Sequence, residues 1–295
     1  MTACCVPSRQ GDSAPEPLVA VIGDASALEV LVRGGSFLMG SDSPDAHPAD
    51  GEGPVRRVEV DSFLIEPTAV TNAAFALFAE ATGYVTDAER FGWSFVCQIF
   101  LAPLQRAAAR PVPQAPWWRQ TFGATWRSPY GPGSSVVGIE DHPVVHVSWR
   151  DAVAFSKWVG KRLPTEVEWE YAARGGLSQK RYPWGDEFSP GGKALANIWE
   201  GDFPDHNTGA DGYAGTAPAD SYPPNGYGLY NMVGNVWEWC ADSYRDGKPE
   251  LKVVRGGSYL CHDSYCNRYR VSARTAANVE SSTGNTGFRL ARSIV

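Results

Sequence analysis

The spacing of apolar side chains predicts three helices, each with a capping residue at its start and glycine at its end. In the first helix, Thr71 is the expected N-cap, Phe75 begins a buried face, and Gly83 ends the helix. Segments 148–160 and 165–176 carry the same signals. In both, an acidic residue follows the capping Ser or Thr by three positions, which is the pattern of a capping box.

Alternating apolar and polar residues predict short strands. We expect order to begin at 28–32, with strands at 36–39 and 58–65. The β-branched pattern Val-Val-His-Val at 144–147, which follows Pro143, predicts a further strand. Pro, Gly, Asn and aromatic residues are interleaved through 181–257, where no helix is expected. The backbone groups of such a segment need side chains, water or bound cations as partners.

The composition is that of a globular chain with many turns. Hydrophobic residues make up 43% and charged residues 20% of the 295 residues, and 31 Gly and 22 Pro indicate much irregular backbone. Residues 1–26 have few apolar side chains and are expected to form a flexible tail. Residues 27–295 contain no repeat or break in composition, so we expect one loop-rich domain with little regular secondary structure.

Charge and cysteine content exclude several classes of protein. The net charge of −7 argues against binding to nucleic acid or to an anionic membrane surface. No apolar run reaches the roughly 18 residues that a membrane span requires. Six cysteines are too few for a disulfide scaffold in this chain, which favours a reducing compartment and a cytoplasmic location.

Two cysteines separated by four residues are the strongest local candidate for chemistry. Cys261 and Cys266 lie among aromatic and basic residues. The nearby Arg255, Arg268 and Arg270 are expected to favour the thiolate, which is both nucleophile and metal ligand. Two thiolates without further Cys or His ligands suit Cu(I) better than zinc. From spacing alone, a local disulfide or two inert thiols stays open.

Oxygen ligands form a second candidate set within the irregular region. Asn197 and Asp211 lie in one pair of loops, and Asn231, Gly234 and Glu238 lie in another. Carboxylate, amide and backbone oxygens are the ligands that Ca²⁺ uses, and a cation could organise loops that lack ladders. The alternative interpretation is a set of solvated acidic turns.

Taken together, these segments resemble the formylglycine-generating enzymes, also called sulfatase-modifying factors. The resemblance covers most of 27–295. It is dense in Thr-Gly-Tyr-Val-Thr-Asp-Ala-Glu-Arg at 82–90, His-Pro-Val-Val-His-Val-Ser-Trp at 142–149 and Gly-Asn-Val-Trp-Glu-Trp at 234–239. The most specific segment is Ser-Tyr-Leu-Cys-His-Asp-Ser-Tyr-Cys at 258–266, because its cysteines distinguish the active enzymes from paralogues that lack them.

The resemblance implies a single, loop-rich α+β domain of the formylglycine-generating-enzyme fold, which is C-type-lectin-like. It also implies an oxidoreductase that uses Cu(I), O₂ and a thiol reductant. The substrate would be the cysteine of a Cys-x-Pro-x-Arg segment in an unfolded or nascent sulfatase, and the product Cα-formylglycine. The alternative is a catalytically inactive, calcium-binding, lectin-like paralogue, against which the paired cysteines argue.

The same resemblance implies roles for individual residues. Cys261 and Cys266 would hold Cu(I) as a two-coordinate bis-thiolate that a substrate thiolate can join. Further catalytic-pocket residues would be Ser258, Tyr265 and Trp237, and the substrate groove would include Ala88, Trp93, Ser282 and Asn285. Structural Ca²⁺ would bind at Asn197, Ile198, Asp211 and Tyr213, and at Asn231, Gly234, Val236 and Glu238. Trp93 replaces an aspartate found in some members, so the sequence leaves open how a substrate arginine is held.

The N-terminal segment carries a feature of this sequence itself. Cys5-Val6-Pro7-Ser8-Arg9 matches Cys-x-Pro-x-Arg, the segment that such an enzyme would modify. A chance match in a cysteine-containing tail is the simpler interpretation. The alternative hypothesis is that this segment occupies the groove of its own or a neighbouring molecule, as pseudosubstrate or substrate.

Overall fold

The computed structural model describes residues 5–9 and 28–294. The helices in this part of the chain are α1 Asn72–Thr82, α2 Asp87–Phe91, α3 Pro103–Ala108, α4 Trp149–Trp158 and α5 Glu166–Ala173. The strands are β1 Val30–Val32, β2 Gly35–Met39, β3 Arg56–Val60, β4 Phe63–Ile65, β5 Trp93–Cys97, β6 Arg110–Val112, β7 Ala115–Phe122, β8 Gly201–Asp202, β9 His206–Asn207, β10 Trp237–Ser243, β11 Leu251–Arg255, β12 Arg274–Asn278, β13 Thr286–Gly287 and β14 Ala291–Ser293.

The three helices expected from the sequence are α1, α4 and α5, and their N-caps are the expected residues. The Thr71 hydroxyl accepts a hydrogen bond from the Ala74 N–H at 3.2 Å. Gly83 ends α1 at φ 66°, a left-handed conformation that glycine adopts without the steric cost of a Cβ atom. Helices α4 and α5 each begin with the expected capping box. These predictions are confirmed.

The strands form several small sheets, and the largest of them positions the candidate site. Its order is β12-β11-β10-β13, antiparallel except for β10 and β13. At one end of this sheet Trp237 pairs with Thr286, and Arg255 pairs with both Glu238 and Arg274. The loops 256–273 and 279–285 therefore meet at this end. The other sheets are β1-β4-β14, β5-β7-β6, β2-β3 and β8-β9.

An aromatic cluster joins α1 and α4 in the core. Phe75 stacks on Phe155 with ring centroids 5.7 Å apart, and Phe78 packs edge-on against the same ring at 5.5 Å. Burying rings of this size dominates the apolar energetics of a core. None of the helices in the described part of the chain is long and apolar enough to cross a bilayer.

Three buried arginine–glutamate pairs connect segments that are far apart in sequence. We call the helices and sheets that they connect the framework. Each member is at most 2% exposed, and each pair joins residues at least 51 positions apart. The pairs are Arg255 with Glu170, Arg270 with Glu52, and Arg289 with Glu238. Removing one partner of such a pair leaves an uncompensated buried charge, which is strongly destabilising.

The strand expected at 144–147 is absent, so that prediction is wrong. Val144 donates to the Val70 carbonyl and His146 donates to the Thr283 carbonyl, both at 2.9 Å, which are separate contacts and not a ladder. His146 has φ 60°, a left-handed conformation that interrupts an extended strand. Of the expected N-terminal tail, residues 5–9 lie against the domain, and the rest of 1–26 falls outside the described residues.

Candidate active site

Two tight turns bring the thiols of Cys261 and Cys266 together at one end of the β12-β11-β10-β13 sheet. The Cys261 N–H donates to the Ser258 carbonyl at 2.9 Å, and the Cys266 N–H donates to the His262 carbonyl at 3.0 Å. Both cysteines are 1% exposed, and their thiols hydrogen-bond to each other. Neither Cys261 nor Cys266 is in a disulfide, so this pair is not a local disulfide.

The environment favours one thiolate beside one thiol. Burial opposes ionisation of Cys266, but hydrogen bonds from Cys261 and Cys5 and the positive charge of Arg268 outweigh it and lower the pKa of Cys266. Burial and the hydrogen bond to Cys266 raise the pKa of Cys261. A buried thiolate of this kind is a soft ligand and a nucleophile.

Only one of the three arginines expected near the thiols acts on them. Arg268 donates to the Cys5 sulfur at 3.5 Å and pairs with Asp50 at 2.6 Å. Arg255 and Arg270 are instead committed to the buried glutamate pairs of the framework. The expectation was wrong for these two residues, because proximity in sequence does not determine which way a buried guanidinium points.

The N-terminal segment lies in a groove that leads to the thiol pair. Cys5 is 5% exposed, and its thiol hydrogen-bonds to both Cys261 and Cys266. The Asn285 side-chain amide donates to the Cys5 carbonyl at 3.2 Å and to the Ser258 hydroxyl at 2.9 Å. The amide therefore links the segment to the loop that carries the cysteines.

Arg9 fills the other end of the groove. Its guanidinium lies between the rings of Phe91 and Trp93, 4.0 Å and 3.9 Å from their centroids. It donates to the Trp93 carbonyl at 2.9 Å and to the Ser282 hydroxyl at 3.2 Å, and the Arg9 N–H donates to the Ser281 hydroxyl at 2.7 Å. Cation–π contact on two faces thus combines with hydrogen bonds at the edge.

Burial lowers the pKa of Arg9 to about 10, while the carboxylates of Asp87, Glu280 and Asp151 oppose that shift. None of these carboxylates forms an ion pair with Arg9 among the described salt bridges. Asp87 and Glu280 pair with Arg150, at 3.1 Å and 3.3 Å. The pocket therefore attracts a guanidinium through its negative field and its aromatic faces, without a direct carboxylate clamp.

Aromatic side chains wall the thiol end of the groove. Tyr265 stacks on Phe203 with centroids 4.5 Å apart and meets Trp117 edge-on at 4.7 Å. A small cavity beside these rings also touches Cys5 and Ser258. Stacked rings exclude water from the sulfur atoms. Phe203 and Trp117 were not anticipated, because they come from segments far from the cysteines in sequence.

Two expected site residues lie behind the groove. The Trp237 backbone N–H donates to the Asn285 carbonyl at 2.8 Å, and its buried indole N–H has no hydrogen-bond partner in the described part of the chain. Ala88 is completely buried in α2, three residues before Phe91. Of the other expected residues, Ser258, Tyr265, Trp93, Ser282 and Asn285 lie at the groove itself.

The first expected calcium site has an oxygen that lacks a partner. The Asp211 carboxylate accepts from the Ile198 N–H at 2.8 Å and from the Tyr213 N–H at 3.1 Å, which brings the two loops together. The Asn197 side-chain oxygen is buried and accepts no hydrogen bond within the described residues. An orphaned buried oxygen beside a carboxylate fits a hard cation such as Ca²⁺.

The second expected calcium site fits less completely. The Asn231 side-chain oxygen is likewise buried without a partner in the described ranges. The Glu238 carboxylate, however, already accepts two hydrogen bonds from Arg289 at 2.7 Å and one from the Trp169 indole at 2.8 Å. Residues 5–9 and 28–294 contain no cluster of three or more His, Cys, Asp or Glu side chains able to hold a metal ion.

Comparison with known proteins gives concordant matches over nearly the whole chain. A family model described as "Sulfatase-modifying factor enzyme 1-like domain" matches residues 23–294. A formylglycine-generating enzyme of Thermomonospora curvata is 57% identical over 279 residues, which cover 89% of this chain and 92% of that protein. A mouse protein named "Inactive C-alpha-formylglycine-generating enzyme 2" is 46% identical, over 90% of this chain and 85% of its own length.

A solved structure has the same architecture. The structure of PvdO from Pseudomonas aeruginosa superposes with a TM-score of 0.67 at 25% sequence identity, covering 96% of this chain and all of that chain. The expected loop-rich α+β fold is confirmed.

Proposed function

The chain belongs to the sulfatase-modifying factor enzyme family, and we propose that it is an active member: an oxidase that converts the cysteine of Cys-x-Pro-x-Arg segments in sulfatases to Cα-formylglycine. The observation that carries this proposal is the buried pair Cys261 and Cys266 at the head of a groove that accommodates such a segment. The relatives named formylglycine-generating enzyme support the same activity.

Cu(I) is the metal that this donor set suits best. Two buried thiols, one of them with a lowered pKa, match the preference of Cu(I) for soft ligands and low coordination numbers. When bound, Cu(I) would supply the one-electron chemistry that lets O₂ react with a substrate thiol. The aromatic rings of Tyr265, Phe203 and Trp117 would keep water from the sulfur atoms.

The remaining groove residues would bind and orient the peptide. Asn285 would hold the carbonyl of the substrate cysteine, and Ser258 would fix the orientation of the Asn285 amide. Phe91 and Trp93 would hold the substrate arginine four residues further on. Fixing both ends of the segment places the reacting thiol by geometry, which is a large source of rate enhancement.

The proposed reaction requires an electron donor besides O₂. In net terms, the substrate CH₂SH group and O₂ yield CHO, hydrogen sulfide and one molecule of water. The atoms balance only if a thiol reductant supplies two electrons and two protons. The partners we propose are therefore nascent sulfatase polypeptides, O₂ and a thiol.

For the first expected calcium site we also propose structural Ca²⁺, supported by the orphaned Asn197 oxygen and the Asp211 carboxylate beside it. The alternative to catalysis is an inactive, calcium-binding paralogue with a lectin-like fold; the mouse relative is named as inactive. The cysteine pair favours the active enzyme, since inactive binding needs no thiolate.

One assay tests the proposed reaction. The full chain is loaded with Cu(I) and mixed in air with a thiol and a short Cys-x-Pro-x-Arg peptide, and the peptide mass is followed. We expect the mass change of CH₂SH becoming CHO, and its loss under anaerobic conditions or with a Cu(I) chelator. Tight Cu(I) binding without any change in peptide mass would contradict the proposed reaction and favour the inactive paralogue.

A further inference from the structure

We infer that residues 5–9 are an intramolecular ligand of the peptide groove, and that they compete with added Cys-x-Pro-x-Arg peptides for it. This inference rests on the proposed function, because it takes the groove to be the peptide site. It adds a regulatory element that is part of this chain: a resident segment that must leave before a substrate can enter.

Both ends of the segment are engaged at the same time. The Cys5 thiol hydrogen-bonds to Cys261 and Cys266, while Arg9 lies between two aromatic rings at the far end. The three fixed positions of the motif, Cys5, Pro7 and Arg9, are all buried, as is Val6, and Ser8 is exposed. Simultaneous burial of the fixed positions matches a bound ligand better than a chance contact of a tail.

Hydrogen bonds along the segment set its position in the groove. Asn285 binds the Cys5 carbonyl, the Ser281 hydroxyl binds the Arg9 N–H at 2.7 Å, and the Asn278 N–H donates to the Ser8 hydroxyl at 3.3 Å. A substrate segment of the same pattern needs the same Asn285 amide and the same arginine pocket. The two segments therefore exclude each other.

Tethering makes a weak internal ligand effective. Covalent attachment gives a segment an effective concentration on the order of millimolar. If the segment binds with a Kd on the order of 0.1 mM, it occupies the groove most of the time and weakens the apparent affinity of an added peptide about tenfold. The expected effect is therefore on peptide affinity and KM, with little effect on the rate once the peptide is bound.

A binding experiment on the metal-free, reduced protein tests the inference without reference to turnover. A fluorescein-labelled Cys-x-Pro-x-Arg peptide is titrated with the full chain, with a variant lacking residues 1–10, and with Arg9→Ala. We expect binding about tenfold tighter to the deletion variant and several-fold tighter to Arg9→Ala. Arg292→Ala is the matched control, since this half-exposed arginine pairs with Glu29 and its removal should leave the affinity unchanged.

Equal affinity of the full chain and the deletion variant would overturn the inference while leaving the proposed function intact. An affinity difference that grows with protein concentration would also overturn it, because the segment would then come from a neighbouring molecule. Conversely, tight binding to the deletion variant together with failure of the oxidation assay would support the internal ligand and contradict the proposed reaction.

Discussion

The buried arginines of the framework and the buried Arg9 of the groove are held in different ways. Arg270 contacts both oxygens of Glu52 at 2.6 Å and 2.8 Å, so its charge is neutralised within the fold. Arg9 has aromatic faces, one carbonyl and one hydroxyl around it, and its nearest carboxylates pair with other arginines. The Arg270–Glu52 pair stays formed, because its separation would leave an uncompensated buried charge. The aromatic pocket, by contrast, can release Arg9.

The difference indicates how a protein can bury a cation that has to leave. An ion pair with a buried carboxylate would hold the segment, but its departure would leave that carboxylate uncompensated. Aromatic faces remain satisfied when the guanidinium leaves, since their hydration cost is small by comparison. The carboxylates of Asp87 and Glu280 stay paired with Arg150 throughout, so they attract Arg9 at a distance without depending on it.

The largest expected effect is on the framework. Arg270→Ala leaves the Glu52 carboxylate, 2% exposed, without its partner and should lower the free energy of unfolding by about 3–5 kcal/mol. Chemical denaturation measures the change. Arg292→Ala is the control, because the Arg292 side chain in its pair with Glu29 is half exposed and its loss should cost about 1 kcal/mol or less. Similar losses for the two variants would contradict the comparison.

His146 tests a buried basic group that forms no ion pair within residues 5–9 and 28–294. Burial lowers its pKa to about 4, so it is neutral in the fold. Between pH 6.5 and about 4 the unfolded chain binds a proton that the folded chain does not. The free energy of unfolding should therefore fall with pH, by up to about 3 kcal/mol.

The measurement is the pH dependence of unfolding for wild type and for His146→Asn. Asn tolerates the left-handed backbone at this position and can still bond to Ser94, but it does not titrate. The difference between the two curves isolates the histidine from the carboxylates, which titrate in the same range. Parallel curves would contradict a neutral, buried His146.

The calcium proposal extends the comparison to a cation outside the chain. At a Ca²⁺ concentration of 100 times Kd, binding should stabilise the wild type by about 2.7 kcal/mol. Thermal unfolding with Ca²⁺ and with chelator measures this, and Asp211→Ala should lose the Ca²⁺-dependent part at this site. Identical melting curves of the wild type with Ca²⁺ and with chelator would contradict the proposal of a structural calcium site.

The smallest effect on stability is expected in the groove. Arg9→Ala removes two cation–π contacts and two hydrogen bonds, yet the cost cannot exceed the free energy with which the segment docks. If the docked form of the segment is ten times as populated as the undocked form, this free energy is about 1.4 kcal/mol, far less than the expected cost at Arg270. A loss comparable to that of Arg270→Ala, measured by the same denaturation, would mean that Arg9 is part of the framework.

Helices could be predicted from the sequence because their signals are local. Thr71 and Gly83 bound α1 through contacts within four residues along the chain. The sheet that positions the site could not be predicted, because its parallel pairing joins Trp237 to Thr286, 49 positions apart. The Val-Val-His-Val pattern at 144–147 was misleading for a related reason: these residues are buried by several distant loops, among them the Thr283 loop.

The candidate site likewise has parts that could be predicted from the sequence and parts that could not. The motif at 258–266 carries both thiols, so it could be identified from the sequence alone. The arginine pocket could be identified only in part: Trp93 and Ser282 were expected in the groove, whereas Phe91 and Ser281 belong to no local pattern and come from distant segments. The Cys-Val-Pro-Ser-Arg motif at 5–9 indicated a ligand, but only the fold shows the pocket that receives it.

The central claim is that the thiols of Cys261 and Cys266 act together to oxidise a cysteine. The most direct measurement compares wild type, Cys261→Ser and Cys266→Ser for Cu(I) stoichiometry and for oxidation of the peptide in air. We predict one Cu(I) per wild-type chain, and turnover reduced about a thousandfold or more in each variant, because one thiolate holds Cu(I) too weakly. Turnover within a few-fold of wild type in either variant would contradict the claim.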